Sequence, residues 1–164
     1  MKKILLLSDT HGHLDQKVLK YLDKVDEVWH GGDIGTLEVC NSLLKLKPLK
    51  AVYGNIDGPE IREKFQEDLT FSCEGLKIYI THIGGYPGKY NSRAKKIIKN
   101  FNPDLFISGH SHILKVISDK ENNLLHMNPG ASGIHGFHKT RTMLKFDIER
   151  KKIKNLQVIE LGKK

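Results

Sequence analysis

Two histidines stand one residue apart in Gly109-His110-Ser111-His112, directly after the apolar run Leu105-Phe106-Ile107. Imidazoles at that spacing either decorate a surface or supply ligands to a metal ion. Which holds depends on whether the chain offers partners of the right chemical type. Four more polar clusters each follow an apolar run: Asp9-Thr10-His11, Gly32-Asp33, Asn55-Ile56-Asp57 and His82. In extended chain, side chains at i and i+2 point the same way. Asp9 with His11, and His110 with His112, are therefore expected each to present two ligands to one point. The donors are carboxylate, imidazole and amide oxygen with no thiolate, a set that suits Mn²⁺, Fe²⁺, Zn²⁺, Ni²⁺ or Mg²⁺ better than a structural zinc knot. Seven candidate ligands (Asp9, His11, Asp33, Asn55, His82, His110 and His112) are too many for one tetrahedral site. Two ions roughly 3.5–4 Å apart, sharing a carboxylate and a hydroxide, would use them all.

Each cluster alone has a plainer explanation. Asp9 could cap a helix, and Asn55-Ile56-Asp57-Gly58 could be a turn. Their joint placement at the ends of apolar runs outweighs those explanations, because in α/β sheets ligand sites assemble at the carboxyl ends of strands.

The elements that must position these residues follow from the apolar pattern. Lys3–Leu7 reads as a strand buried on both faces, and a helix with Leu14, Val18, Leu19 and Leu22 on one side follows it. Strands are expected over 25–29 and 49–53, with a helix over 37–47 between them that Pro48 stops. Strands 69–73 and 76–81 flank Glu74-Gly75, a hairpin turn. A helix over 92–100, a strand over 104–108 and four strands (114–118, 124–127, 142–147, 153–161) complete the chain. Strands alternating with helices, then a strand-rich tail, predict an α/β fold. A sandwich of two mixed sheets with helices outside fits this order. No repeat or linker interrupts it, so residues 1–164 read as one domain.

The net charge of +8 favours anionic partners such as phosphate esters or nucleic acid. Much of it lies in scattered lysines and the Lys151–Lys154 and Lys163-Lys164 segments, which read as solvated surface. Cys40 and Cys73 form no CxxC pair, which reads as two reduced thiols. The apolar stretch Ile4–Leu7 is too short for a signal peptide, and no run is long enough to span a membrane. The cytoplasm is the expected compartment.

The five ordered blocks resemble the calcineurin-like metallophosphoesterase superfamily, whose pattern is D-x-H, G-D, G-N-H-[DE], H and G-H-x-H. The short length, Asn128-Pro129-Gly130-Ala131-Ser132 and the strand-rich tail resemble its YfcE-type phosphodiesterase branch. The resemblance implies a four-layer α/β/β/α sandwich. It implies that Asp9, His11, Asp33 and His112 hold one metal, and that Asp33 bridges to a second held by Asn55, His82 and His110. Asp33, Asn55 and His110 would also serve catalysis. The implied reaction is hydrolysis of a small organic phosphate or nucleotide ester by a metal-bridging hydroxide, with two divalent ions, Mn²⁺ first. A nuclease is the alternative reading. A non-catalytic protein-binding scaffold like the retromer subunit of this fold is the second alternative. The oligomeric state stays open, with a homo-oligomer among the options.

One departure matters. Where the superfamily often carries a histidine after the asparagine, this chain has Ile56, which cannot protonate a leaving group. Loss of a general acid typically costs about 10²–10⁴-fold. His13 is the candidate substitute, against a plain surface histidine at the helix start. His30 either orients Asp33 from behind or packs under the loop, and His135 and His138 either wall the pocket or lie on the surface.

Overall fold

The computed structural model describes all of residues 1–164, and β1 (Lys2–Leu7) lies at its centre. Ile4 and Leu6 face one core while Leu5 and Leu7 face another, and none of the four has exposed surface. Burial on both faces is why the run shows no polar alternation. β2 (Glu27–His30) and β3 (Leu49–Ala51) add in parallel on one side of β1. On the other side, β9 (Thr140–Glu149) and β10 (Lys152–Lys163) add antiparallel, giving the order β10-β9-β1-β2-β3. The second sheet contains β4 (Asp68–Cys73), β5 (Leu76–Thr81), β6 (Leu105–Ile107), β7 (Leu114–Asp119) and β8 (Leu124–Pro129). Its order is β4-β5-β6-β8-β7, with β5, β6 and β8 parallel and both outer strands antiparallel.

Three cores define four layers. Val18 and Leu22 of α1 (Gln16–Leu22) and Val39 and Leu43 of α2 (Leu37–Leu44) pack on Leu5, Leu7 and Val28. Between the sheets, Trp29 and Phe146 meet Ile78, Ile80 and Ile107. On the far side, Ala94 and Ile98 of α4 (Ser92–Phe101) cover Tyr79 and Phe106. The expected α/β/β/α sandwich of two mixed sheets is the observed one. Cys40 and Cys73 are free and buried in different cores.

Local chemistry sets the boundaries. Asp15 caps α1 by accepting from the Lys17 N–H, and Asn91 caps α4 by accepting from the Ala94 N–H. Asn102, left-handed at φ 52°, ends α4 ahead of Pro103. Glu74 and Gly75, at φ 48° and 84°, make the expected hairpin turn. One element lies outside the expectation: α3 (Pro59–Arg62) is a single turn with proline in its first turn, too short to show helical periodicity. No helix is long and apolar enough to cross a membrane.

The layers bring the polar strand ends to one edge. The segment after β1 continues beside the segment after β2, through Asp9 N–H to Gly32 O and His11 N–H to Asp33 O, both 3.0 Å. The second sheet joins there by its own loops. Gly109 N–H donates to His82 O, and Ser132 and Gly133 donate to Ser8 O and Asp9 O.

Candidate metal centre

The seven predicted ligands converge at this edge. Asp9, His11 and His112 form one group, and Asp33, His82 and His110 a second, with the donor atoms of each group lying within 4.8 Å of one another. Asn55 lines the same cleft. Asp9 Oδ1 is 3.0 Å from His112 Nε2 and 3.9 Å from both His11 Nε2 and His82 Nε2. Asp33 Oδ2 stands between the two groups, 3.4 Å from His11 Nε2 and 3.2 Å from His82 Nε2. The other oxygen of each carboxylate is occupied. Asp9 Oδ2 accepts from Ser8 Oγ (2.6 Å) and the His110 N–H, and Asp33 Oδ1 accepts from the Ile56 N–H. Gly54 permits this packing, since a Cβ there would lie 2.0 Å from Asp33 Oδ1.

Hydrogen bonds fix how the imidazoles present themselves. A carbonyl can only accept, so His82 donates from Nδ1 to Gly31 O (2.8 Å) and turns Nε2 to the carboxylates. His138 donates from Nε2 to Gly133 O, which leaves its Nδ1 to accept from His112 Nδ1 at 3.1 Å. His112 thus also offers Nε2 to the centre. Burial pushes the His138 imidazole below its ordinary range, which keeps it the neutral acceptor this relay requires. Asn128 supports the neighbouring turn, donating from Nδ2 to Gly109 O and to Ser111 Oγ. Ser111 directs its hydroxyl to this amide and to the Ile113 N–H.

The charges interlock. Burial alone would raise the Asp9 and Asp33 carboxyls, but the surrounding histidines override it and hold both below the usual carboxylate range. Asp9 raises the His11 imidazole, and Asp33 raises that of His82 against the opposing effect of burial. Three polar atoms here, Asp9 Oδ1, His11 Nε2 and His82 Nε2, are buried without a hydrogen-bond partner. Buried polar groups are rarely left so, and lone pairs left free in both donor groups, on Asp9 and His11 in one and on His82 in the other, suit a cation at each.

Two expectations need correction. The ligands are not in extended chain: Asp9, His11, Asp33, His110 and His112 all have positive φ, between 46° and 69°. Left-handed backbone, costly for non-glycine residues, turns each side chain inward. It also sends His110 and His112 to different groups instead of one point. His13 closes a turn, its N–H bonded to Thr10 O. His135 lines the cleft, its ring 4.9 Å from that of His11.

Two residues that support the site were not assigned their parts by the motifs. Asp57 accepts three backbone N–H groups, from Ile34 (3.1 Å), Gly35 (2.8 Å) and Gly54 (2.8 Å). It ties the loop bearing Asp33 to the loop bearing Asn55. His30, fully buried, accepts the Gly32 N–H at Nδ1 and so donates from Nε2 to Thr10 Oγ1, which donates to Ile34 O. It supports the segments on either side of Asp33. Burial pushes the His30 imidazole down to about 4, and it does the same to His126. The unfolded chain then binds more protons than the folded one below the ordinary imidazole value near 6.5. In metal-free protein each of these two histidines should therefore subtract on the order of 2 kcal/mol of stability from pH 7 to 5, against a gain from the raised imidazoles of His11 and His82. Urea melts in chelator should show a shallower pH dependence in His30→Gln. An unchanged slope would reject the assignment.

The family model described as the calcineurin-like phosphoesterase superfamily domain matches residues 1–151. A probable metallophosphoesterase of Methanothermobacter thermautotrophicus is 27% identical over 131 residues, 77% of this chain and 74% of that one. Another, from Methanocaldococcus jannaschii, is 29% identical over 77% of this chain and 66% of its own length. Among solved structures, one described as a novel archaeal phosphodiesterase superposes with a TM-score of 0.76 at 28% identity, covering 97% of this chain and 99% of that one. Vps29 of Entamoeba histolytica, solved with Zn²⁺, gives 0.74 at 17% identity over 98% of both chains, a likeness of fold alone. The family match runs through every ligand-bearing loop, and by it this chain belongs to the calcineurin-like phosphoesterase superfamily.

Proposed function

We propose that the protein is a metal-dependent phosphodiesterase acting on a small organic phosphate or nucleotide ester, with two divalent cations, Mn²⁺ foremost. The reading is carried by Asp9 Oδ1, His11 Nε2 and His82 Nε2, buried without hydrogen-bond partners in two adjoining donor groups. Asp9, His11 and His112 would hold one cation, and Asn55, His82 and His110 the other, with Asp33 shared between them. When bound, such a pair supplies Lewis-acid activation of water and of the phosphoryl oxygens.

The chain's own groups do the rest. Ser8 and the His110 N–H hold Asp9 so that Oδ1 faces inward, and the Ile56 N–H does the same for Asp33 Oδ2. Gly31 O and His138 fix the tautomers of His82 and His112. Ile56 carries no proton to donate, so esters with stable leaving groups should be the better substrates. The archaeal phosphodiesterase relative supports a diester. Two free, buried thiols fit the reducing cytoplasm as the compartment, and a single unit over 1–164 fits the shared cores.

A nuclease would need cations for the phosphates flanking the scissile one, and the nearest, Arg62 and Arg93 beside Asn55 and His82, are engaged with Asn55 O and with Glu67 and Asp68. A scaffold has no use for unpaired buried donors. Protein stripped with chelator should be inert and should regain bis(4-nitrophenyl) phosphate hydrolysis with Mn²⁺, Ni²⁺ or Zn²⁺. Elemental analysis should then find two ions per chain. Metal-loaded protein inert toward every diester tried would sink the reading.

A further inference from the structure

The walls of the metal cleft differ in chemistry from its floor. The cavity, about 510 Å³, has carboxylate and imidazole at its base and Ile56, Ile113 and Phe137 around its mouth. Ile56 is 47% exposed, Ile113 56%, and Phe137 is fully exposed. A single exposed apolar side chain is ordinary, but three around one cleft form a patch of the kind that marks a binding site.

Phe137 is not exposed through slackness of its loop. Gly136, at φ 121°, lies so close to His112 that a Cβ there would be 2.2 Å from its Nδ1. His138 is bonded to both His112 and Gly133 O, and Lys164 Nζ donates to Gly136 O. The ring is held out from a tethered segment at the edge of the metal centre, forgoing the burial a phenyl group usually obtains. The charge inventory narrows what it could meet. Although the chain carries a net +8, no lysine or arginine lines this cavity. The nearest cations are engaged elsewhere, Lys164 with Gly136 O, Arg62 with Asn55 O, and Arg93 with Glu67 and Asp68, so a second phosphate, or the second negative charge of a monoester, would have to draw one away from its partner.

We propose that Phe137, with Ile56 and Ile113, is a specificity wall that selects monoanionic phosphodiesters carrying a flat, uncharged ring. The inference rests on the phosphodiesterase reading and names the class of ester it acts on. The ring stacks on Phe137 while the single phosphate charge is left to the centre. An aryl group and a nucleobase share this chemistry.

Two measurements on Mn²⁺-loaded protein test it: turnover of bis(4-nitrophenyl) phosphate and of the 4-nitrophenyl ester of thymidine 5′-phosphate, and calorimetric binding of diphenyl against dimethyl phosphate. Phe137→Ala should raise KM for the ring-bearing esters about tenfold with kcat within about twofold, the size of one aromatic contact. It should weaken diphenyl phosphate alike and leave dimethyl phosphate unchanged. Phe137→Trp should keep the preference. An effect on only one of the two esters identifies which ring the wall receives. Equal losses for diphenyl and dimethyl phosphate, or none, would overturn the wall. So would a change in oligomeric state without a change in KM, which would make the rim an interface between copies. Ring-selective binding that Phe137→Ala abolishes, in protein that turns over no diester, would keep the wall and overturn the phosphodiesterase reading.

Discussion

Replacing Asp33 with alanine should lower diester turnover by at least about 10³-fold, the scale of losing a group that organises transition-state charge, while the metal-free fold stays intact. Only one backbone donor, the Ile56 N–H, depends on Asp33, through Oδ1. Its Oδ2 is directed to the space between His11 and His82. Without a cation, that oxygen is held by His82, which outweighs its repulsion from the Asp9 carboxylate. Removing it should cost some stability in chelator, but less than Asp57→Ala does, because the relieved repulsion offsets part of the lost contact with His82. Metal content should fall below two ions per chain, because both donor groups lose the ligand between them. A variant that kept two ions and a tenth of the activity would show that Asp33 is not shared.

Asp57→Ala should do the opposite, destabilising the protein by about 4 kcal/mol, with or without metal. The carboxylate is 3% exposed, and its oxygens accept three backbone N–H groups from two loops. Alanine would leave all three unpaired in a place water hardly reaches, at about 1–3 kcal/mol each before relaxation. Asp57→Asn, with one acceptor oxygen left, should fall between. The urea midpoint checks this. An unchanged midpoint would mean that the loops hold without their anchor. Asp33 and Asp57 are both buried aspartates close to strand ends, and they differ in what their oxygens meet. One keeps a lone pair free for chemistry; the other has its oxygens engaged by the backbone.

That difference marks how far the sequence could be read. The two-sheet sandwich was legible because each buried strand is an apolar run with its own boundary signals, as in β1. The seven ligands were legible because carboxylates and imidazoles recur where such runs end. α3 was not, since one turn shows no period. The parts of Asp57 and His138 were not either. Asp57 stands in the motif as one more acidic residue, and His138 lies 26 positions from the histidine it orients. His13 is near His11 in sequence, yet the rings that stand beside His11 are those of His112 and His135, far along the chain.

The sequence by itself determined the family pattern, the order of strands and helices, and the chemical character of the donor set. These depend on residue type and on local period, which a chain carries without being folded. Only the tertiary structure decided the grouping of the donors. Left-handed backbone at Asp9, His11, Asp33, His110 and His112 is a local conformation that few residues prefer, and the loops stitched across both sheets hold it. Which lone pairs remain free, and which side chains form the cleft wall, likewise depend on contacts between segments distant in sequence.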